Sequence, residues 1–401
     1  MTQKGNGKLH DTRESVNGYS VKTVSMDHDR EKSKLPAVVT GGAGFIGANL
    51  THRLASAGRR VIVYDNMSRQ GVEKNLQWLV ATHGRLIDVE VKDTRDRHSL
   101  QNVIKHAGQV FHLAAQVAVT TSLDDPVSDF EVNARGTLNV LESIRAQAKP
   151  PSLIFTSTNK VYGALEDLHF KPQEYRYVPD VNVLNFKTCI GEERPLDFHS
   201  PYGCSKGAAD QYVIDYARTY GLPAAVFRMS CIYGPHQFGT EDQGWVAHFL
   251  IRAIEGQKIT IYGDGRQVRD ILFVEDLLDA MTLAQQNMGR IAGQAFNIGG
   301  GPENTISLLE LLELLSELDS GEHRVEFSEW RHADQRYYVS DINKFRDSTG
   351  WVPRVSAREG IHRLYKWLRA AHEGDRLPAS ERSVVSGGLP PQSQEVAAAG
   401  N

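Results

Sequence analysis

Residues Ala37–Asp65 constrain the fold more tightly than any other stretch of this chain. Ala37-Val-Val-Thr40 reads as a short apolar strand, Gly41-Gly-Ala-Gly44-Phe-Ile-Gly47 follows at once, and an amphipathic helical pattern continues through Ala57. A second apolar run, Val61-Ile-Val-Tyr64, ends on Asp65. Strand, glycine turn, helix, strand and acid in this order suit a chain that wraps a dinucleotide. Gly41 permits the tight turn. Gly44 lets the backbone approach a pyrophosphate at the helix N-terminus, where free N–H groups and the helix dipole favour anions, and Gly47 lets helix and strand pack closely. Phe45 and Ile46 ride on the same turn. Asp65 stands where a carboxylate accepts hydrogen bonds from the adenosine ribose and repels a 2′-phosphate, so NAD is expected over NADP. Asn66, Ser68 and Arg69 extend this ribose end, and Arg69 is the residue that argues the other way.

The alternation continues. A strand is expected over Leu86–Val91, leading to Asp93 and Thr94, with Asp93 placed to meet the adenine amino group. Helix follows over Leu100–His106, and then a strand over Val110–Leu113 running into the small residues Ala114 and Ala115 and then Gln116. A long helix is expected over Phe130–Ala146 with Asn133 early in it, then a strand over Leu153–Phe155 leading to Thr156, Ser157 and Thr158. Repeated strand–helix units imply an α/β fold with a doubly wound parallel sheet, with ligands at the carboxyl ends of its strands. The expected organisation is a tail over 1–34, a dinucleotide domain over 35–228, a smaller mixed α/β substrate lobe over 229–375 with some segments returning to the sheet, and a tail over 376–401. The irregular insertion at 164–199 is rich in Tyr, Pro, Asp and Asn and reads as a binding lid.

Composition narrows the classes. The 401 residues carry a formal net charge of −4, which implies no basic face for nucleic acid or acidic membrane. No apolar run approaches a membrane span, and the N-terminus lacks a secretion-signal pattern. Cys189, Cys204 and Cys231 cannot all pair, show no metal-ligand spacing, and are expected as buried structural thiols in a reducing cytoplasm.

The chemistry centres on Tyr202-Gly-Cys-Ser-Lys206. Tyrosine and lysine four residues apart share a helix face. An adjacent ammonium favours the phenolate, so the tyrosine pKa is expected to fall below its ordinary value near 10. Such a tyrosine can take a proton from an alcohol while hydride leaves the same carbon.

Together, Gly41-x-x-Gly44-x-x-Gly47, Thr158, Val161-Tyr-Gly163 and Tyr202-x-x-x-Lys206 resemble the extended short-chain dehydrogenase/reductase family of nucleotide-sugar enzymes over roughly Leu35–Glu373. Ser157–Gly163, Leu196–Gln211 and Asp242–Val246 are similar to the branch of that family that epimerises CDP-paratose to CDP-tyvelose. The resemblance implies Tyr202 as acid/base, Lys206 on the nicotinamide ribose and Thr158 on the reacting hydroxyl. It implies Arg269 and Arg331 as clamps on the substrate diphosphate, with Gln116, Asn159, Gln243 and Trp245 on the substrate side. Cys231 stands where many relatives carry asparagine. The family's 4,6-dehydratases need an Asp-Glu pair directly after Thr158 and its decarboxylases a Glu there, but this chain has Asn159 and Lys160. What remains is epimerisation by transient oxidation, with hydride returned to the other face of the sugar, at C2 of a CDP-linked hexose by resemblance. A 4-epimerase of a UDP- or GDP-sugar and an NAD(P)H-dependent keto-sugar reductase are the alternatives. A homodimer or homotetramer paired through Phe130–Ala146 and Tyr202–Tyr220 is expected, with no metal.

Overall fold

Seven strands build the main sheet: β1 (Ala37–Thr40), β2 (Val61–Asp65), β3 (Ile87–Val91), β4 (Gln109–His112), β5 (Ser152–Thr158), β6 (Ala224–Met229) and β7 (Ala295–Ile298). Their order is β7-β6-β5-β4-β1-β2-β3, and every pairing is parallel. The computed structural model describes residues 35–180, 188–319, 321, 323–331 and 334–376; both expected tails lie outside these residues, apart from Arg376. From β1 the chain runs outward through β2 and β3 and then returns to β4 on the other side of β1. The strand order reverses there, and the crevice at the carboxyl ends of β1 and β4 is where such a sheet takes a ligand.

Both faces of the sheet are covered. Ala37 and Val39 of β1 join one core with Ala48, Leu50, Leu79, Leu277 and Met281, whereas Val38 between them joins the opposite core with Leu100, Ile104, Val140, Ile144 and Val213. That split follows from the two-residue period of a strand. The first core holds helix α1 (Phe45–Ser56) and the second holds α2 (Gly136–Arg145) and α3 (Ser200–Tyr220).

The second lobe grows directly from β6. Cys231–Tyr233 leaves the main sheet and pairs parallel with Val268–Phe273, which also pairs antiparallel with Thr305–Ser307 and parallel with Tyr337–Tyr338. A third core forms around Phe249, Leu250, Ile261, Phe273, Leu311, Leu315 and Leu364. A mixed C-terminal lobe tied back to the parallel sheet is thus present.

Three expectations change. The helix anticipated over Phe130–Ala146 starts earlier, at Pro126–Phe130, and passes through a π-helical turn, Glu131–Arg135, before α2. The Thr137 hydroxyl donates to the Asn133 carbonyl at 2.6 Å and competes there with the regular backbone ladder. The insertion at 164–199 is not a lid in its described part. Phe170–Pro172 and Tyr177–Pro179 form a hairpin, anchored on the second lobe by Arg176 on Glu310 (2.6 and 2.7 Å) and by the Tyr177 N–H on the Arg266 carbonyl (2.9 Å). No described residue of the insertion lines the central cavity; residues 181–187 lie outside the described set. The cysteines are all free but not all buried: Cys204 is exposed on the outer face of α3, and Cys189 and Cys231 are half-buried.

Candidate active site

A cavity of about 1020 Å³ runs along the carboxyl ends of the strands and continues under the second lobe. Its floor at one end is the glycine turn. Gly41 has φ +70°, and a Cβ on Gly47 would stand 2.0 Å from the Gly41 carbonyl oxygen. Helix α1 starts at Gly44 with no side-chain cap, so its first N–H groups are left for a ligand. The Asp65 carboxylate is fixed beside the turn by the N–H groups of Ala43 (3.1 Å) and Met67 (2.9 Å). A cradle that a methyl group would fill, an uncapped helix and an oriented carboxylate fit an NAD pyrophosphate and ribose. Gly47→Ala is expected to lose NAD binding and to lower the melting temperature by several degrees, as about 1–3 kcal/mol of overpacking does; calorimetry with and without NAD checks both.

Phe45, Ile46, Asn66, Ser68 and Thr94 line the same end, whereas the expected ribose residue Arg69 reaches along the cavity to donate to the Gln243 side chain. Asp93 also lines that end, but its carboxylate is gripped by Arg95 through two 2.9 Å bonds and by Asn66 at 2.9 Å. The Arg95 hydrogen bond holds the Asp93 carboxyl well below its usual range, against the opposing effect of burial. Leu113, Ala114, Ala115 and Thr156 carry the groove toward the centre. Asn133 does not line the cavity. Its side chain lies behind the wall, where its Oδ1 accepts the Gln116 N–H at 2.9 Å.

At the centre Thr158, Tyr202 and Lys206 converge. Thr158 is the last residue of β5, three residues beyond the end of the expected strand, and its hydroxyl acts on the phenol to lower its pKa. Tyr202 enters the site because α3 starts on Ser200, held at φ +75°, followed by Pro201 at the first turn. The Lys206 Nζ donates to the Thr156 carbonyl at 2.6 Å and lies 4.3 Å from the centre of the Phe155 ring.

The electrostatics differ from the expectation. Burial pushes Tyr202 up to about 12, and the groups that pull it back are the Thr158 hydroxyl and the Arg69 guanidinium, with Asp129 opposing them. Lys206 is itself pushed down to about 7 by burial, opposed by Asp210 and Asp129. The lysine is aimed at β5 and not at the phenol, so it does not supply the expected drop in the tyrosine pKa.

The far end of the cavity is lined by Gln116, Asn159, Lys160, Gln243, Trp245, Arg269 and Arg331. Arg269 holds Asp334 at 2.7 Å, and Lys160 stands 4.0 Å from the same oxygen. Burial raises the Asp334 carboxyl, but these two cations outweigh it and leave it below its ordinary value. Arg331 donates to the Glu241 carbonyl at 2.9 Å and lies 4.0 Å from the centre of the Tyr262 ring. The Trp245 indole N–H donates to the Cys231 thiol at 3.4 Å, so Cys231 belongs to the wall of the site. Both arginines engage carboxylate or carbonyl oxygens, anionic and polar acceptors of the kind a guanidinium holds.

A family profile described as the NAD dependent epimerase/dehydratase family matches residues 37–299. The chain belongs to this family. CDP-paratose 2-epimerase of Salmonella typhi is 43% identical over 349 residues, covering 82% of this chain and 98% of that protein. A Thermotoga maritima UDP-glucose 4-epimerase solved with UDP-glucose superposes with a TM-score of 0.72 at 31% identity, covering 84% of this chain and all of that one. Thermus thermophilus UDP-glucose 4-epimerase in complex with NAD gives 0.70 at 30% identity, covering 84% of this chain and 100% of that chain. This family member is therefore an NAD-dependent enzyme with the parallel-sheet architecture expected.

Sequence reasoning missed several groups that shape this epimerase/dehydratase site. Asp334 and Gln335 reach it from the second lobe: Gln335 meets Asn159 at 3.4 Å and donates to the Gly163 carbonyl at 2.6 Å. Asp129 and Ser205 sit beneath the Tyr202–Lys206 turn. Among the described residues no His/Cys/Asp/Glu cluster could hold a metal.

Proposed function

We propose that this protein epimerises a CDP-linked hexose at C2, converting CDP-paratose or a close analogue to its C2 epimer. The observation that carries the reading is the pairing of Thr158, Tyr202 and Lys206 at one point of the cavity with Asn159 and Lys160, not carboxylic acids, beside Thr158. Asp334, the cavity-lining carboxylate beside Lys160, is engaged by Arg269 and Lys160. Elimination of water therefore lacks its acid and base, while removal and return of hydride at one carbon lacks nothing. The CDP-linked substrate and the C2 position rest on the similarity to the Salmonella typhi enzyme.

NAD, when bound, supplies the hydride acceptor and donor. The residues do the rest. Thr158 hydrogen-bonds the reacting hydroxyl, and Tyr202 takes its proton and later gives it back. Lys206 orients the cofactor ribose, and Arg269 and Arg331 hold the diphosphate so that the sugar can present either face. The Lys160 N–H donates to the Thr158 hydroxyl oxygen at 3.2 Å, which fixes that hydroxyl for its task.

Incubation with CDP-, UDP- and GDP-sugars without added cofactor tests the assignment by NMR of the products. Conversion of CDP-paratose at C2 is expected. Turnover of a UDP- or GDP-sugar at C4 supports a 4-epimerase instead, and stoichiometric NAD(P)H consumption supports a reductase. We also propose a homodimer. Leu123, Val127, Phe130, Tyr212 and Tyr220 are exposed on the helices before α2 and on α3, an apolar face that a second copy would cover; a monomer in sedimentation would remove this proposal. The unpaired cysteines suit a cytoplasmic setting.

A further inference from the structure

We propose that Asp129 is a positioning residue of this site: its buried carboxylate holds the Tyr202–Lys206 turn through Ser205 and is the countercharge of Lys206. The inference rests on the roles given to Tyr202 and Lys206 above. Asp129 is fully buried in Pro126–Phe130, just before the π-helical turn. One carboxylate oxygen accepts the Ser205 hydroxyl in a short hydrogen bond, and the other accepts the Asn133 amide at 3.1 Å. Ser205 lies between Tyr202 and Lys206 on α3, and its Oγ also lies 3.2 Å from the Tyr202 carbonyl. Asn133 is 3.1 Å from the same Oγ and fixes Gln116 on the cavity wall. One side chain thus ties the π-helical turn to the segment of α3 that carries both the acid/base and the lysine.

Charge gives a second, separate argument. A buried carboxylate with no countercharge is strongly destabilising, so it needs one. Among the described residues, Lys206 is the charged group that acts on Asp129. From the lysine's side, three titratable groups face it: Asp129, Asp210 on its own helix, and His112 on β4. Asp210 is already neutralised by Arg228, with two bonds of 2.9 Å. His112 is pushed down to about 3 by burial and is neutral throughout the working range. Asp129 remains as the uncompensated anion beside Lys206. Tyr202 faces Asp129 and Arg69, so the carboxylate also makes the phenol harder to ionise.

Asp129→Asn removes the charge and keeps the shape. The new amide can accept from Asn133 and donate to Ser205, whose own proton then turns to the Tyr202 carbonyl. With the anion gone, Lys206 loses its proton at lower pH and Tyr202 ionises at lower pH. Both limbs of the kcat–pH profile are therefore expected to move to lower pH by roughly one unit, with KM for the sugar nucleotide unchanged. A profile that superimposes on the parent overturns the proposal, because a purely structural role lowers the melting temperature without moving either limb. Ser205→Ala is the second variant, and it decides if Asp129→Asn does not fold. It leaves the charge, so kcat should fall while the limbs stay; parent kcat would overturn the positioning role. An inactive Tyr202→Phe beside an unmoved Asp129→Asn profile would sink this inference alone, whereas an active Tyr202→Phe would sink the functional reading on which it rests.

Discussion

Tyr202→Phe is expected to lower kcat by roughly 10²–10⁴-fold, the usual contribution of a positioned acid/base, while NAD stays bound and the fold persists. The substitution removes one oxygen from a buried ring and leaves its packing in place. The phenol has its pKa pushed up to about 12 in the ligand-free protein, so it is protonated at neutral pH. Such a group is well suited to returning a proton to a ketone. To act as base it must lose its proton on demand, and the groups arranged to help are the Thr158 hydroxyl and the Arg69 guanidinium. Arg69, expected at the ribose end, thus acts on the phenol. Turnover within tenfold of the parent, measured by NMR of product formation, would remove Tyr202 from the mechanism.

Lys206→Met is expected to cost about as much in kcat, and in addition to weaken NAD binding by about 10–100-fold, the worth of one charged hydrogen bond to a ligand hydroxyl. Methionine keeps the methylene chain in the slot beside Phe155, so the protein should still fold. Because burial has already pushed Lys206 down to about 7, the ammonium is only marginally retained in the ligand-free protein. The sign follows: below that pH the lysine is charged and can donate to the cofactor, and as pH rises through it the charge is lost. NAD affinity of the stripped enzyme should fall as pH rises past about 7. That dependence should vanish in Lys206→Met. Fluorescence titration with NAD at several pH values reads both effects; an affinity equal in parent and variant at every pH contradicts the assignment.

Much of this account was legible because the decisive residues are close in sequence. Gly41, Gly44, Gly47 and Asp65 lie in one strand–turn–helix–strand unit, and local backbone chemistry alone fixes where they go. Tyr202 and Lys206 share a helix face for the same reason. The unread parts depend on distant partners. Asp129 looks like an ordinary acid at a helix start until Ser205, 76 residues on, is brought against it. Asp334 reads as a surface charge until the fold sets it on Arg269, 65 residues away. The insertion at 164–199 misled because its aromatic residues suggest a cavity wall, whereas Tyr177 packs on the second lobe and bonds Asp264 at 2.9 Å. The direction in which Lys206 points was also illegible. Helical spacing puts it beside Tyr202, but the Thr156 carbonyl decides where its ammonium goes.

The central claim is that hydride leaves and returns at a single carbon with no net redox change. CDP-paratose carrying deuterium at C2, incubated in ordinary water with enzyme and no added cofactor, tests it most directly. Retention of deuterium at C2 of the epimerised product, with no accumulation of NADH, is the predicted result. Loss of the label to solvent would contradict it, because it would mean that a proton and not a hydride is removed at C2.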